Sequence, residues 1–154
     1  MYDVVIGYKP RDLLNENDIY RVAALWIKNS QGDILLAQRA FSKKNHPGKW
    51  GPAAAGTVEE RETYDANIIK EAEEEIGLTG YQFEKGPKTP VSGEYRYVRQ
   101  FYTLIIDKNV EEFTIDKKEV VGIRWFSREE LMGELRETPE RFLDSVKDGV
   151  RWFV

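Results

Sequence analysis

Apolar and polar positions along the chain fall into blocks whose spacing names the elements. The run IYRVAALWIKN from Ile19 reads as a buried strand, SQGD as a turn and ILLAQRA from Ile34 as the partner strand, making a hairpin. The loop KKNHPGKW follows. Further on, YRYVRQFYTLII and EVVGIRWF carry the β-branched and aromatic residues that favour a sheet. Alternating aromatics in such a strand, here Tyr95, Tyr97 and Tyr102, read first as core or cross-strand pairs. Between these strands one segment changes period. From Thr63 to Gly77 the spacing is helical, with Thr63 as N-cap, Asp65 in the first turn and Gly77 as a left-handed stop after Ile76.

SREEL predicts a helix start capped by Ser127, and TPERFLDSV another with Thr138 as cap and Pro139 at the first helical position. Glycine and proline are scattered as single turn signals, with no repeat and no linker. One domain spanning 1–154 is the expectation, an α/β sandwich of helices packed on a mostly antiparallel or mixed sheet.

The central helix poses a problem in charge. On a wheel of about 100° per residue, Ile68, Ile69, Ala72 and Ile76 share the arc expected to face the core. Glu71, Glu74 and Glu75 share an opposing arc, and Glu73 projects to its side. Like charges at such spacing repel by only roughly 0.2–0.5 kcal/mol per pair, so a solvated acidic face is one reading. The other is a cation site: three convergent carboxylates, hard oxygen donors that select Mg²⁺ or Mn²⁺.

Composition narrows the chemistry further. The chain has no cysteine and a single histidine, which excludes disulfides, thiolate catalysis and Cys/His zinc sites. With 23 basic and 27 acidic residues the net charge is −4, so there is no overall basic field to attract nucleic acid. No apolar leader and no long apolar run stand out, and a cytoplasmic location away from membranes is the expectation.

The stretch GTVEERETYDANIIKEAEEEIGL resembles the Nudix box, G(x5)E(x7)REUxEExGU with U apolar. Gly56, Glu62, Glu71, Glu74, Glu75 and Gly77 fall on its fixed positions, Ala72 and Leu78 on its apolar ones, and Lys70 stands where the pattern has Arg. The resemblance implies an α/β/α sandwich that hydrolyses a nucleoside diphosphate linked to a further group, using divalent metal. It implies Glu74 and Glu75 as principal metal ligands, Glu71 as a further ligand or the base that activates water, and the Ala55 carbonyl as a backbone ligand. Glu62 and Lys70 become the support of these groups. A lysine lacks the bidentate fork of the family's arginine, so the positioning of the glutamates is in question. Many members add a carboxylate from outside the box; Glu119, ahead of EVVGIRWF, is the candidate here, against an edge-strand charge beside Lys117 and Lys118.

A second stretch, AQRAFSKKNHPGKW, is similar to the subgroup that includes isopentenyl diphosphate isomerase, through Arg39, Lys43, Pro47, Gly48 and Trp50. There the Arg and Lys hold the substrate diphosphate, and Lys44 and Lys49 thicken the basic patch. VVIGYKPRDLL resembles the leading strand of that subgroup. The isomerase needs a cysteine acid and histidine metal ligands, which this chain lacks; His46 reads as a turn residue. The expected partner is therefore a small-molecule diphosphate or nucleotide, with Trp50 a candidate to stack on it, homodimerisation left open, and a non-catalytic binding module as the alternative reading.

Overall fold

A computed structural model describes residues 3–154. Among these, seven strands form one sheet: β1 (Ile19–Lys28), β2 (Ile34–Arg39), β3 (Trp50–Pro52), β4 (Ala54–Thr57), β5 (Glu84–Val91), β6 (Arg96–Ile105) and β7 (Val120–Phe126). Three helices pack on it, α1 (Tyr64–Ile76), α2 (Arg128–Glu137) and α3 (Asp144–Phe153). Among the described residues no helix is long and apolar enough to cross a membrane.

The strand period of two divides the core. On β1, Ala23, Leu25 and Ile27 join Ile68, Ala72 and Ile76 of α1, whereas Trp26 joins Leu131 of α2 and Val146 of α3 on the opposite face. Leu35 and Leu36 of β2 split in the same way. The result is the expected α/β/α sandwich with a mixed sheet.

β1 organises everything that follows. It runs parallel to β6 along its whole length, but its other edge is shared: Ile27 and Lys28 pair with β2, and Val22–Leu25 pair with β4. The expected hairpin is therefore paired only next to its turn. Beyond that point β2 leaves β1 and takes β3 and β7 as neighbours.

α1 begins and ends where expected. The Thr63 hydroxyl accepts from the Ala66 N–H at 3.1 Å. Gly77 takes φ 66°, and paired bonds close the end: Gly77 N–H to the Glu73 carbonyl at 3.0 Å and Leu78 N–H to that of Ala72 at 3.0 Å. Ser127 caps α2 by accepting from the Glu130 N–H.

Four expectations fail. VVIGYKPRDLL forms no strand; residues 4–8 are an exposed arm, with Ile6 fully open to solvent, followed by a 3-10 turn at Arg11–Leu13. Its apolar residues find no neighbouring strand, and without a ladder an apolar run has nothing to pair with. Ile69 is 51% exposed, and Asn67 joins Ile68, Ala72 and Ile76 as the buried positions of the helix. The Thr138 hydroxyl donates back to the Glu134 carbonyl and caps nothing; Pro139–Arg141 makes one 3-10 turn, and α3 starts only at Asp144. Trp50, finally, is only 8% exposed and packs edge-on against Phe126, so its ring has no free face for a ligand.

Candidate active site

The acidic face of α1 meets β4 at one end of the sheet. Ala55 lies opposite Ala24 of β1, and the Val58 N–H, three residues on, bonds to the Arg21 carbonyl. That register makes Ala55 and Ala24 a non-hydrogen-bonded pair, so both the N–H and the carbonyl of Ala55 face away from β1. The N–H donates to Glu75 Oε2 at 3.1 Å. The carbonyl on the same residue faces outward beside it.

Next along β4, the Gly56 α-carbon abuts the Glu71 carboxyl group, and any side chain there would overlap it. Burial raises the pKa of Glu71, and the neighbouring charges of Glu74, Glu62 and Glu119 raise it further against the pull of Lys70. Burial also pushes Glu75 up to about 8; the Ala55 N–H opposes this, Glu71 and Glu119 add to it, and Arg39 opposes it. Glu73 and Glu74 are exposed.

Behind these groups stands a supporting set. Lys70 Nζ lies 2.7 Å from Glu62 Oε1, 3.4 Å from Glu59 and 3.9 Å from Glu71 Oε1, and it makes no ion pair with Glu74. The other Glu62 oxygen accepts from the Glu59 N–H at 2.9 Å. Burial opposes the charge on Glu62, yet the hydrogen bond from Lys70 and those from Glu59 and Asn67 hold its pKa below the usual range.

The facing wall comes from β2, β7 and the loop after β2. Glu119 is paired with Lys43, not with Lys117 or Lys118, and its charge is felt by Glu71, Glu75 and Arg39. Arg39 donates Nε to the Asn45 carbonyl at 3.1 Å, which anchors the basic loop to its strand. Burial lowers the pKa of Arg39, while Glu75 and Glu119 raise it. Lys44 is exposed and makes no ion pair among the described residues. His46 is an exposed turn residue at φ 52°.

The aromatic stripe behaves as a sheet feature. Tyr97 stacks on Tyr20 across strands at 5.3 Å, and Tyr102 is buried with its hydroxyl donating to Asp65. Two residues at the site escaped sequence reasoning. Arg11, on the N-terminal 3-10 turn, lies close enough to Arg39 for their like charges to interact, and close to Tyr20. No motif marks it. Asn67 stands one helical turn before Glu71, a spacing that was readable, but an asparagine inside a helix carries no signal of its own.

The donor set fits a hard divalent cation. Glu71, Glu75 and Glu119 are mutually repelling carboxylates within reach of one another, the Ala55 carbonyl is turned the same way, and no soft ligand is near. Among the described residues no three such side chains are already gathered into a closed cage. Lys43 and Arg39 supply the positive charge that faces the carboxylates.

The sandwich and its acid-faced helix define a hydrolase of diphosphate linkages. A family model described as the NUDIX domain matches residues 19–146, and the chain belongs to that family. It is 27% identical over 155 residues to the prenyl-diphosphate phosphatase of Methanosarcina mazei, an alignment covering 97% of this chain and 89% of that protein. It is also 27% identical over 126 residues to the isopentenyl-diphosphate Delta-isomerase of Citrobacter koseri, over 76% of this chain and 67% of that one. In fold it is similar to the crystal structure of DR0079 from Deinococcus radiodurans, with a TM-score of 0.73 at 23% identity over 88% of this chain and 85% of that chain.

Proposed function

We propose that this protein hydrolyses the anhydride bond of a small molecule in which a diphosphate carries a further group, a nucleoside or an organic moiety, in the presence of Mg²⁺ or Mn²⁺. The observation that carries the reading is the placement of Glu71 and Glu75 of α1 opposite Arg39, Lys43 and Glu119. Glu71, Glu74, Glu75 and the Ala55 carbonyl would hold the cation. When bound, it draws charge from the phosphate oxygens and eases loss of a proton from water.

The chain's own groups do the rest. Arg39 and Lys43 bind the diphosphate oxygens, and the ion pair with Lys43 keeps Glu119 beside the crevice. Where Glu71 is left off the cation, its carboxylate takes the proton of the attacking water. The water oxygen bonds to phosphorus as the bridging P–O bond breaks, and a phosphate or monophosphate leaves. Glu62 and Lys70 hold this arrangement from behind. The alignment with a prenyl-diphosphate phosphatase over nearly the whole chain supports including non-nucleotide diphosphates among the substrates.

Isomerisation of a prenyl diphosphate is not the reading, despite the similarity to an isomerase. The chain has no cysteine to act as the carbon acid, and its one histidine lies in an exposed turn. A panel of nucleoside triphosphates, nucleotide sugars, dinucleoside polyphosphates and prenyl diphosphates, incubated with Mg²⁺ or Mn²⁺ and scored for released phosphate or monophosphate, tests the proposal. Turnover of at least one compound is expected. Tight binding of diphosphates without turnover of any would favour a binding module.

A further inference from the structure

Lys70 occupies the position at which the Nudix box has Arg, and an ammonium makes point contacts where a guanidinium offers a rigid fork. Its short contacts go to Glu62 at 2.7 Å and Glu59 at 3.4 Å, and Glu71 Oε1 remains 3.9 Å away. Something else must hold Glu71. Asn67, which the box pattern leaves unspecified, is fully buried one turn ahead of it. Asn67 Nδ2 lies 3.1 Å from Glu62 Oε2, 3.1 Å from the Thr57 carbonyl oxygen and 3.4 Å from Glu71 Oε1.

We propose that Asn67 is a positioning residue whose amide, together with the Lys70 ammonium, makes the two-carboxylate bridge between Glu62 and Glu71 that a single arginine would make alone. The inference rests on the proposed role of Glu71 in the site. Lys70 grips one oxygen of Glu62, Asn67 grips the other, and the amide, with two N–H bonds for three acceptors, shares a hydrogen with Glu71. The cost of keeping Asn67 supports the assignment. Among the described residues its buried Oδ1 accepts no hydrogen bond, a penalty that an alanine at this position would not incur. The NH₂ group is therefore what the position uses.

One structural role competes with this one. The bond to the Thr57 carbonyl ties α1 to the end of β4, and Asn67 could serve that bond alone. The two roles separate in the company of Lys70, because an arginine at residue 70 would bridge Glu62 and Glu71 unaided but would leave Thr57 untouched.

The experiment compares the parent with Asn67→Leu, Lys70→Arg and the double variant, and repeats the series with Asn67→Ala in case leucine disturbs the helix. Free Mn²⁺ is counted by electron paramagnetic resonance to give the affinity for the metal alone; kcat and KM follow on the compound turned over in the panel, and melting temperature reports folding. Asn67→Leu should weaken Mn²⁺ binding by about tenfold and lower kcat more than it raises KM. In the Lys70→Arg background the same substitution should cost less than about threefold, while the fall in melting temperature is alike in both. Equal losses in the two backgrounds, or no loss, would reduce Asn67 to a tie for Thr57. A parent that binds Mn²⁺ and hydrolyses nothing would sink the functional reading, yet leave the Mn²⁺ comparison to decide Asn67. A parent that binds no Mn²⁺ would overturn both.

Discussion

Lys43 and Glu119, 76 positions apart in the chain, form an ion pair where the loop after β2 meets the start of β7. The pair joins a residue proposed to bind the substrate to one that crowds the acidic cluster.

Lys43 should therefore matter to binding more than to the chemical step. Replacing it with methionine removes a charge-assisted contact worth about 1.5–3 kcal/mol, so KM for the diphosphate should rise by about 10- to 100-fold with a smaller change in kcat. Lys44→Met, at an exposed side chain without an ion pair, should leave KM within about twofold. Steady-state kinetics on the two variants check both. Equal effects would mean that the loop acts as a diffuse basic patch.

The three consecutive glutamates Glu73, Glu74 and Glu75 should differ in weight. Glu75→Gln and Glu74→Gln should each lower the metal-dependent rate by about 10²-fold, the scale of a small misplacement at a reacting centre. Glu73→Gln, on the side of the helix away from Ala55 and Gly56, should stay within about threefold. Activity should vanish with excess chelator and return with Mn²⁺. Undiminished turnover in chelator would sink the metal assignment.

Gly56→Ala should disable the site more than it unfolds the protein. A Cβ there would overlap the Glu71 carboxyl group, so that side chain has to swing away. The rate should fall by about 10²-fold, with a modest loss of stability of about 1 kcal/mol. Circular dichroism melts alongside kinetics distinguish this from general unfolding.

Glu75 sets a pH dependence whose sign reverses when metal is present. In the metal-free protein its carboxyl titrates at about 8, above the unfolded value of about 4.3. The folded state then binds more protons, so the stability this group contributes is complete below about pH 4 and is lost as pH climbs through about 8. The melting temperature of chelated protein should fall between about pH 5 and pH 8, and Glu75→Gln should flatten that slope. Mn²⁺ competes with the proton, so its affinity should rise over the same interval. A melting temperature that Glu75→Gln leaves unchanged in its pH dependence would contradict this.

How far the sequence foretold the molecule varies with how locally each feature is determined. α1 was legible because Thr63, the apolar spacing and Gly77 are all within the segment itself, and its glutamates came with it. β3 and β4, in WGPAAAGT, show no alternation and become strands only because β2 and β1 offer them edges. β5, EKGPKTPV, has two prolines and two lysines; it is tolerated as the outer strand beside β6, with a register shift between Lys85 and Lys88. Conversely, residues 4–6 had the look of a strand and found no edge. Ile69 illustrates the same limit at the scale of one side chain: it lies at the margin of the helical arc, where tertiary packing alone decides which side is covered. Ala55 and Lys43 could be nominated from their motifs, but the meeting of Lys43 with Glu119 depends on β2 pairing with β7, which no local pattern records.

The divided edge of β1 has a consequence for how such a protein can change. β4 and α1 hang from one half of that edge and bring Ala55, Gly56 and the box glutamates; β2, the strand it carries with it and the basic loop lie beyond the other half. The two groups are joined through β1 and through β3, which follows the basic loop, pairs with β2 and leads across Ala53 into β4. Residues 40–49 are the loop of the paired strands β2 and β3, closed where Gln38 meets Trp50, so they can be lengthened, shortened or exchanged for another loop without displacing the backbone that presents Glu71 and Glu75. Descent with a fixed cleavage apparatus and a replaceable recognition surface is built into the strand order itself.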